Sequence, residues 1–442
     1  MKSRPFPQFV LRAFVSSWPI LLLLGCNTPN PQVVRAVNAY YAGDYPAARE
    51  SLRPLAQKTD ENFVLNNLRL GSACLPDYRL DEAEAAFLKA YEVINSVGVN
   101  DGGRTLGAVL VSENIKIFKG EPFERAMANF YLGLIYYMRE DYNNARGAFE
   151  NALFKLRDYV DVDKSPKEDQ YRQVESDFAL AYLMLAKSYH HLGERDLARA
   201  NFDRLASLRP YLGPLAQYCQ QEPHNLTIVI DYGIAPQKVQ TGDGSGITFA
   251  LPAGQSPRIP RPHIFADGRP VGTGPELVPA ADTLAMAYDR KWESLDTIRT
   301  IKSIAGTGLL AAGAFEGLRG AYGHGAAQRR DLTAAAALAG AGLLLKAASQ
   351  ADVRHWEMLP RATFVLPLRL PPGRHNITVD IPGYNPTHLT WRDLIAPDPA
   401  SGREATYYFR LQPYPTGPYD FAPPPPDRSA AANYPAAAAE RS

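Results

Sequence analysis

Residues 130 to 153, FYLGLIYYMREDYNNARGAFENAL, read as two helices joined by a polar turn, with Gly133 in the middle of the first. Glycine inside a helix costs roughly 0.5–1 kcal/mol relative to alanine, so its presence asks for a packing reason. The residues at fixed offsets from it suggest one. Tyr136 lies three positions on, Ala145 twelve, Phe149 sixteen and Ala152 nineteen. A small residue on each helix of a hairpin lets the two backbones approach, and a large side chain at either place would wedge them apart.

One helical hairpin cannot bury its own apolar face, so the pattern should recur. RLGSACLPDYRLDEAEAAFLKAYEVI places Gly71, Cys74, Ala83, Phe87 and Ala90 at the same offsets, and LAKSYHHLGERDLARANFDRLASLRP places Ala186, Tyr189, Ala198, Phe202 and Leu205, closing on Pro210. A degenerate copy carries Ala36, Ala48, Leu52 and Leu55. Across residues 32 to 215 the chain therefore resembles tetratricopeptide repeats. Ala48 and Ala83 are 35 residues apart, close to that period. The next spacings, 62 and 53 residues, imply segments inserted between repeats.

The first 25 residues carry a different signal. Lys2, Arg4 and Arg12 precede an apolar run too short to span a bilayer, as in an export leader. The run ends Leu23-Leu24-Gly25-Cys26, which resembles a bacterial lipobox, in which lipid is added to the cysteine sulfur and cleavage occurs before it. That resemblance implies lipidation of Cys26. Asn27 stands in place of the aspartate that retains lipoproteins at the inner membrane in enteric bacteria, which favours the outer membrane, facing the periplasm. Cys74 and Cys219 remain; export would allow them to pair, whereas the inward position of Cys74 in its repeat suits a buried thiol.

The fold class expected is α+β and multidomain: a TPR-like solenoid, then a small β-sandwich-like domain interrupted by an Ala/Gly-rich helical hairpin. The boundaries expected are 1–25 leader, 26–220 repeats with an insertion at about 94–122, 221–280 and 358–411 β module, 281–357 hairpin, and 412–442 a disordered Pro/Ala-rich tail. Strands are expected in LTIVIDYG (226–233), GITFALP, PRIPRPHIFADGRPVG, ATFVLPLRL, GRHNITVDIPGY and ATYYFRL, and RDYVDVDKSPKEDQYRQVE between the last two repeats reads as a loop or helix extension. The hairpin runs SIAGTGLLAAGAF and LTAAAALAGAGLLL suit either a hairpin lying on the β domain or one that contacts membrane or oligomerises. DYGIAPQK, this hairpin and ADVRHWEMLP (351–360) together resemble a functionally obscure group of bacterial envelope lipoproteins with repeats followed by a β module.

No catalytic, cofactor or metal signature emerges. The eight histidines are scattered without zinc spacing, TGDGSG lacks the Lys-Ser/Thr of a phosphate loop, and there is no GxSxG. The 47 basic and 46 acidic residues supply no field for nucleic acid. The expected function is a non-enzymatic, lipid-anchored periplasmic scaffold binding a protein or peptide partner in cell-envelope assembly or maintenance. The alternative is a structural membrane or oligomerising component acting through the hairpin. Tetratricopeptide arrays line a concave groove with their first helices. On that resemblance the groove would be formed by Met127, Phe130, Leu134 and Tyr137 in the third repeat and by Leu180, Leu183, Lys187 and His190 in the fourth. The other possibility is that the inserted segment or the β domain fills the groove.

Overall fold

The computed structural model describes residues 30–95, 117–118, 120–153, 156–159, 171–174, 177–240, 247–253, 255–271, 275–288, 353–382, 388–411 and 419–424. Cys26 and its leader, most of the insertion after the second repeat, the Ala/Gly-rich hairpin and the end of the tail lie outside these residues.

Four helical hairpins follow one another: α1 (Pro31–Ala42) with α2 (Tyr45–Ala56), α3 (Phe63–Cys74) with α4 (Leu80–Asn95), α5 (Pro122–Met138) with α6 (Tyr142–Leu153), and α7 (Ala179–His191) with α8 (Arg195–Leu208). A further helix, α9 (Gly213–Gln221), packs on α8. Local chemistry starts them. The Asn30 side chain accepts from the Gln32 N–H and Pro31 takes the first turn of α1, Asp44 caps α2, and Pro122 opens α5 while Glu124 reaches back to the Glu121 N–H.

The turns keep the repeat spacing. In every hairpin the residue seven positions after the reference small residue is left-handed: Gly43 (φ 84°), Tyr78 (54°), Glu140 (62°) and Gly193 (79°). Two of these are glycine, for which the conformation is cheap; two are not. The opening glycine has a definite role as well. A Cβ on Gly133 would stand 2.7 Å from Cε1 of Phe149, and one on Gly71 would stand 2.7 Å from Cζ of Phe87. The aromatic at offset sixteen, more than the alanine at offset twelve, is what the glycine admits. Phe149 is fully buried and tilted against Phe130, so it has little room to retreat.

Between α6 and α7 the charged segment expected as loop or helix extension instead forms an antiparallel pair, β1 (Leu156–Tyr159) with β2 (Tyr171–Val174). The C-terminal β region contains a four-stranded sheet in the order β12-β3-β9-β8 and a five-stranded sheet in the order β13-β11-β10-β6-β7. Their strands are β3 (Leu226–Tyr232), β6 (His263–Ala266), β7 (Arg269–Pro270), β8 (Ala281–Asp282), β9 (Ala362–Leu368), β10 (Gly373–Asp380), β11 (His388–Ala396), β12 (Ala405–Arg410) and β13 (Tyr419–Phe421). A separate ribbon of β4 (Gln237–Gln240) and β5 (Ile247–Ala250) sets Phe249 edge-on against Phe123 of α5. The short helix α10 (Thr283–Tyr288) follows β8. The tail expected to be disordered contributes β13, which runs parallel to β11.

The four-stranded sheet is a middle layer. On β12, Tyr407 and Phe409 face the other sheet: the Tyr407 hydroxyl accepts from the Ile395 N–H, and Phe409 stacks on Trp391 at 3.8 Å between ring centroids. Tyr408 and Arg410 face the helices, where they meet Tyr131 and Tyr40. That two-residue alternation is the strand pleat. Cys74 and Cys219 are both buried and unpaired. No described helix is long and apolar enough to cross a membrane.

The glycine contact carries a prediction. Gly133→Ala should destabilise by about 1–3 kcal/mol through overpacking on Phe149, despite alanine's better helix propensity. Gly133→Leu should cost more. Urea unfolding of the purified chain followed by circular dichroism measures both, and an alanine variant as stable as the wild type would show that the Phe149 ring moves aside freely.

Candidate functional site: the filled concave face

The first helices of the hairpins carry polar residues that a solvated groove would expose. In α3, however, Asn66, Asn67, Arg69 and Ser72 are all buried, as are Glu124 on α5 and Lys187 on α7. The chain's own segment 353–361 meets Arg69, Ser72 and Glu124, and Glu404 meets Lys187, while Asn66 and Asn67 bond the carbonyls of Leu55 and Ala56 at the end of α2.

The segment is held through its main chain as much as through its side chains. The Trp356 N–H donates to Oε1 of Glu124 at 2.6 Å, and the Tyr40 hydroxyl donates to the Met358 carbonyl at 3.3 Å. The Tyr41 hydroxyl donates to the Glu357 carbonyl. Between these, Arg69 donates to both carboxylate oxygens of Glu357, at 2.8 and 2.5 Å, in the planar two-point geometry that suits a guanidinium. Trp356 is 1% exposed, lies against Phe87 and Tyr131, and donates from Nε1 to Oγ of Ser72, whose hydroxyl in turn donates to the Leu68 carbonyl. Arg354 reaches the Glu61 carbonyl at 2.7 Å. Helices α1, α3 and α5 thus bind Trp356, Glu357 and Met358, where the segment makes a turn closed by the Leu359 N–H on the Trp356 carbonyl.

Behind it lies Asp231 on β3, with no exposed surface. Its carboxylate accepts from the hydroxyls of Tyr131 (2.5 Å), Tyr408 (2.7 Å) and Thr363 (2.5 Å). Burial raises its pKa, and Arg410 and these donors pull the other way. Arg410 donates to the Tyr40 hydroxyl and to the carbonyls of Asp231, Gly233 and Leu411. This acid flanked by tyrosines is enclosed by protein: Tyr131, Tyr408 and Thr363 are themselves buried. A cavity of about 90 Å³, lined by Asp177, Arg209, Tyr211, Asp282 and Met286 among others, lies elsewhere. It is small beside the roughly 300–1,000 Å³ of ordinary ligand sites. Among the described residues, no group of three or more His, Cys, Asp or Glu side chains could hold a metal.

The residues predicted for the groove do not line an open surface. Met127, Phe130, Leu134, Leu180 and Leu183 have no exposed surface, Tyr137 has 1% and Lys187 2%; His190 alone is exposed. Phe130 packs between helices against Phe149 and Phe178. On α5, Glu124 meets the segment and Tyr131 meets β3, seven residues apart on one helix face. On α7, Lys187 does face inward, but toward Glu404. Helices α5 and α7 are apolar on nearly every side, so their sequences do not single out one face. The legible clue was the set of polar residues on α3.

No protein-family model matches the chain, and no curated protein matches it. Among solved structures, two crystal structures of MamA align with it at a TM-score of 0.28 and 17% identity, over 42% and 43% of this chain and 80% of that protein. A third structure of MamA aligns at 0.27 and 14% identity, over 43% and 84%. A TM-score this low carries no conclusion about function.

Two predictions follow from the segment. Arg69→Glu should cost about 3–5 kcal/mol by stranding two acids together, and Arg69→Glu with Glu357→Arg should recover much of that loss. A double-mutant cycle in urea decides, and the absence of coupling would mean that Glu357 does not depend on Arg69. The second concerns pH. Burial pushes Glu124 up to about 7, with Lys238 opposing and Glu121 adding to the rise. A carboxyl whose pKa is raised in the folded state binds its proton more tightly there. Its contribution therefore favours folding as pH falls from about 7 toward the ordinary glutamate range near 4.5. Glu124→Gln should remove up to about 3 kcal/mol of that acid-side gain. Unfolding free energies at pH 7.5 and 5.5 for both proteins test this, and equal pH slopes count against it.

Proposed function

We propose that the protein is a lipid-anchored scaffold of the bacterial cell envelope, held by Cys26 after removal of residues 1–25 and facing the periplasm from the outer membrane. The helical array and β region form a platform for a protein partner in envelope assembly or maintenance. The observation that supports the scaffold half is the concave face itself. It binds Arg354, Trp356, Glu357 and Met358 of the chain's own segment through main-chain and side-chain bonds, so the face has the donors and acceptors that hold a peptide. Because that face is filled by its own chain, the partner meets the outer surface of the array. The reading is non-enzymatic: the polar groups gathered in the interior serve to join the helices to the sheet.

The anchoring half rests on the leader and on Leu23-Leu24-Gly25-Cys26. An alkyne fatty acid fed to expressing cells should label the wild type and leave Cys26→Ser unlabelled; equal label in both removes the anchor. For the scaffold half, photo-crosslinkers at the exposed Leu197 and Tyr211 of the lipidated chain should yield one defined adduct in cells. Absence of any adduct from exposed positions around the array counts against it.

A further inference from the structure

In each hairpin the second helix returns to the rim from which the first set out. The starts of α1, α3 and α5 therefore share one rim, and the left-handed turns at Gly43, Tyr78, Glu140 and Gly193 share the opposite one. Two contacts show this closure. Nε2 of Gln32, in the first turn of α1, donates to the Ser51 carbonyl of α2 at 2.8 Å. The Phe118 N–H, ahead of α5, donates to the Glu61 carbonyl, ahead of α3, at 2.9 Å.

The C-terminal half reaches the same rim at two points. Arg354 donates to the Glu61 carbonyl at 2.7 Å and lies over the Phe118 ring at 5.9 Å, which places Val353 beside the starts of α3 and α5. The Tyr288 hydroxyl donates to the Phe249 carbonyl, and Phe249 stands edge-on to Phe123 in the first turn of α5. Between Tyr288 and Val353 the sequence runs through 64 residues that include SIAGTGLLAAGAF and LTAAAALAGAGLLL. The chain thus departs for two of its most apolar stretches, and returns from them, at this rim.

Exposure agrees. Among the described residues five large apolar or aromatic side chains are exposed: Val34, Leu197, Tyr211, Tyr288 and Val353. Val34, Tyr288 and Val353 sit on this rim around the first three hairpins. Tyr211 lies further along, beside the fourth, and Leu197 stands on the opposite rim in the first turn of α8. Cys26 is four residues ahead of Asn30, a reach of about 14 Å at most. Arg35, Lys58 and Arg354 are set there against Asp60 and Glu61, a nearly balanced set of charges.

We propose, on the lipid-anchored reading of Cys26, that this near end of the rim is the membrane-facing surface, with Val34, Tyr288 and Val353 seated in the headgroup layer of a phospholipid bilayer. A lipid on Cys26 holds the start of α1 close to that layer. Valine and an exposed tyrosine, with its apolar ring and polar tip, suit the boundary between hydrocarbon and water. With charge nearly balanced, the contact is apolar in origin and changes little with salt. The first helices then point away from the bilayer, and the turns of the opposite rim, with Leu197, face the periplasm.

The lipidated chain, extracted from cells and reconstituted in vesicles of phosphatidylethanolamine and phosphatidylglycerol, tests this with a fluorescent non-canonical residue in place of Tyr288, Val353 or Leu197. All three positions are exposed, so the substitutions leave the core intact. Mass spectrometry of the N-terminal peptide first reads the lipid on Cys26. A phospholipid spin-labelled at its headgroup should then quench the probes at 288 and 353 about threefold more than the probe at 197, in low and in high salt alike. Equal quenching at the three sites, or the strongest at 197, overturns the membrane face. A peptide without lipid defeats the anchored reading on its own. The probes are then read in a chain from residue 26 coupled through Cys26 to a maleimide-bearing phospholipid, Cys74 and Cys219 being buried. The same ranking supports the membrane face there, and its absence overturns it.

Discussion

Asp231 is a carboxylate with no exposed surface, and the way its charge is satisfied sets how the two halves of the molecule meet. Burying such a group costs several kcal/mol unless donors replace the lost hydration. Three hydroxyls do so, and one of them, from Tyr131, belongs to the helical array. Arg410 balances the charge from the neighbouring strand while bonding the Tyr40 hydroxyl, so a second helix is tied to the same centre. The β region cannot separate from the helices without leaving Asp231 and Arg410 short of partners. An apolar interface of equal area would hold the halves together but would not fix their relative placement in this way.

The consequence is a helical array whose concave face is closed by its own chain. Two turns show how closely the halves are fitted. Gly43 and Gly193 take the left-handed position in the outer hairpins, whereas Tyr78 and Glu140 take it in the inner two, where a side chain costs more. Both side chains reach the β region. The Tyr78 hydroxyl donates to the Tyr408 carbonyl at 2.9 Å and accepts from the Tyr408 N–H at 3.1 Å, closing the open edge of β12 as a neighbouring strand would. Glu140 pairs with Arg403 just ahead of that strand. Strain in the repeat is accepted where it supplies a contact to the sheet.

The joint is polar along much of its length, from Lys238 with Glu121, through Trp356 on Glu124, to Lys187 with Glu404. Polar joints respond to pH in ways that apolar ones do not, and the sign depends on what stands opposite each group. Burial disfavours charge on Glu124, the neighbouring acid Glu121 adds to this while Lys238 opposes it, and protonation relieves the balance that remains.

The sequence by itself determined the repeats. Their small and aromatic residues recur at offsets of twelve, sixteen and nineteen because every hairpin solves the same local packing problem, and local problems leave periodic traces. The main strands were legible for the same reason, as β-branched runs bounded by turns. The tertiary structure alone decided which face of α5 looks inward, because a helix buried all round has no amphipathic stripe to read. It decided that residues 353–361 lie along the helices, since a contact between Arg69 and Glu357 spans 288 residues and follows no period. It also made a strand of Tyr419–Phe421 in a proline-rich tail, where pairing with β11 outweighs weak local propensity. Local packing repeats and can be read from the chain, but burial of a charge such as Asp231 is settled by partners that only folding brings together.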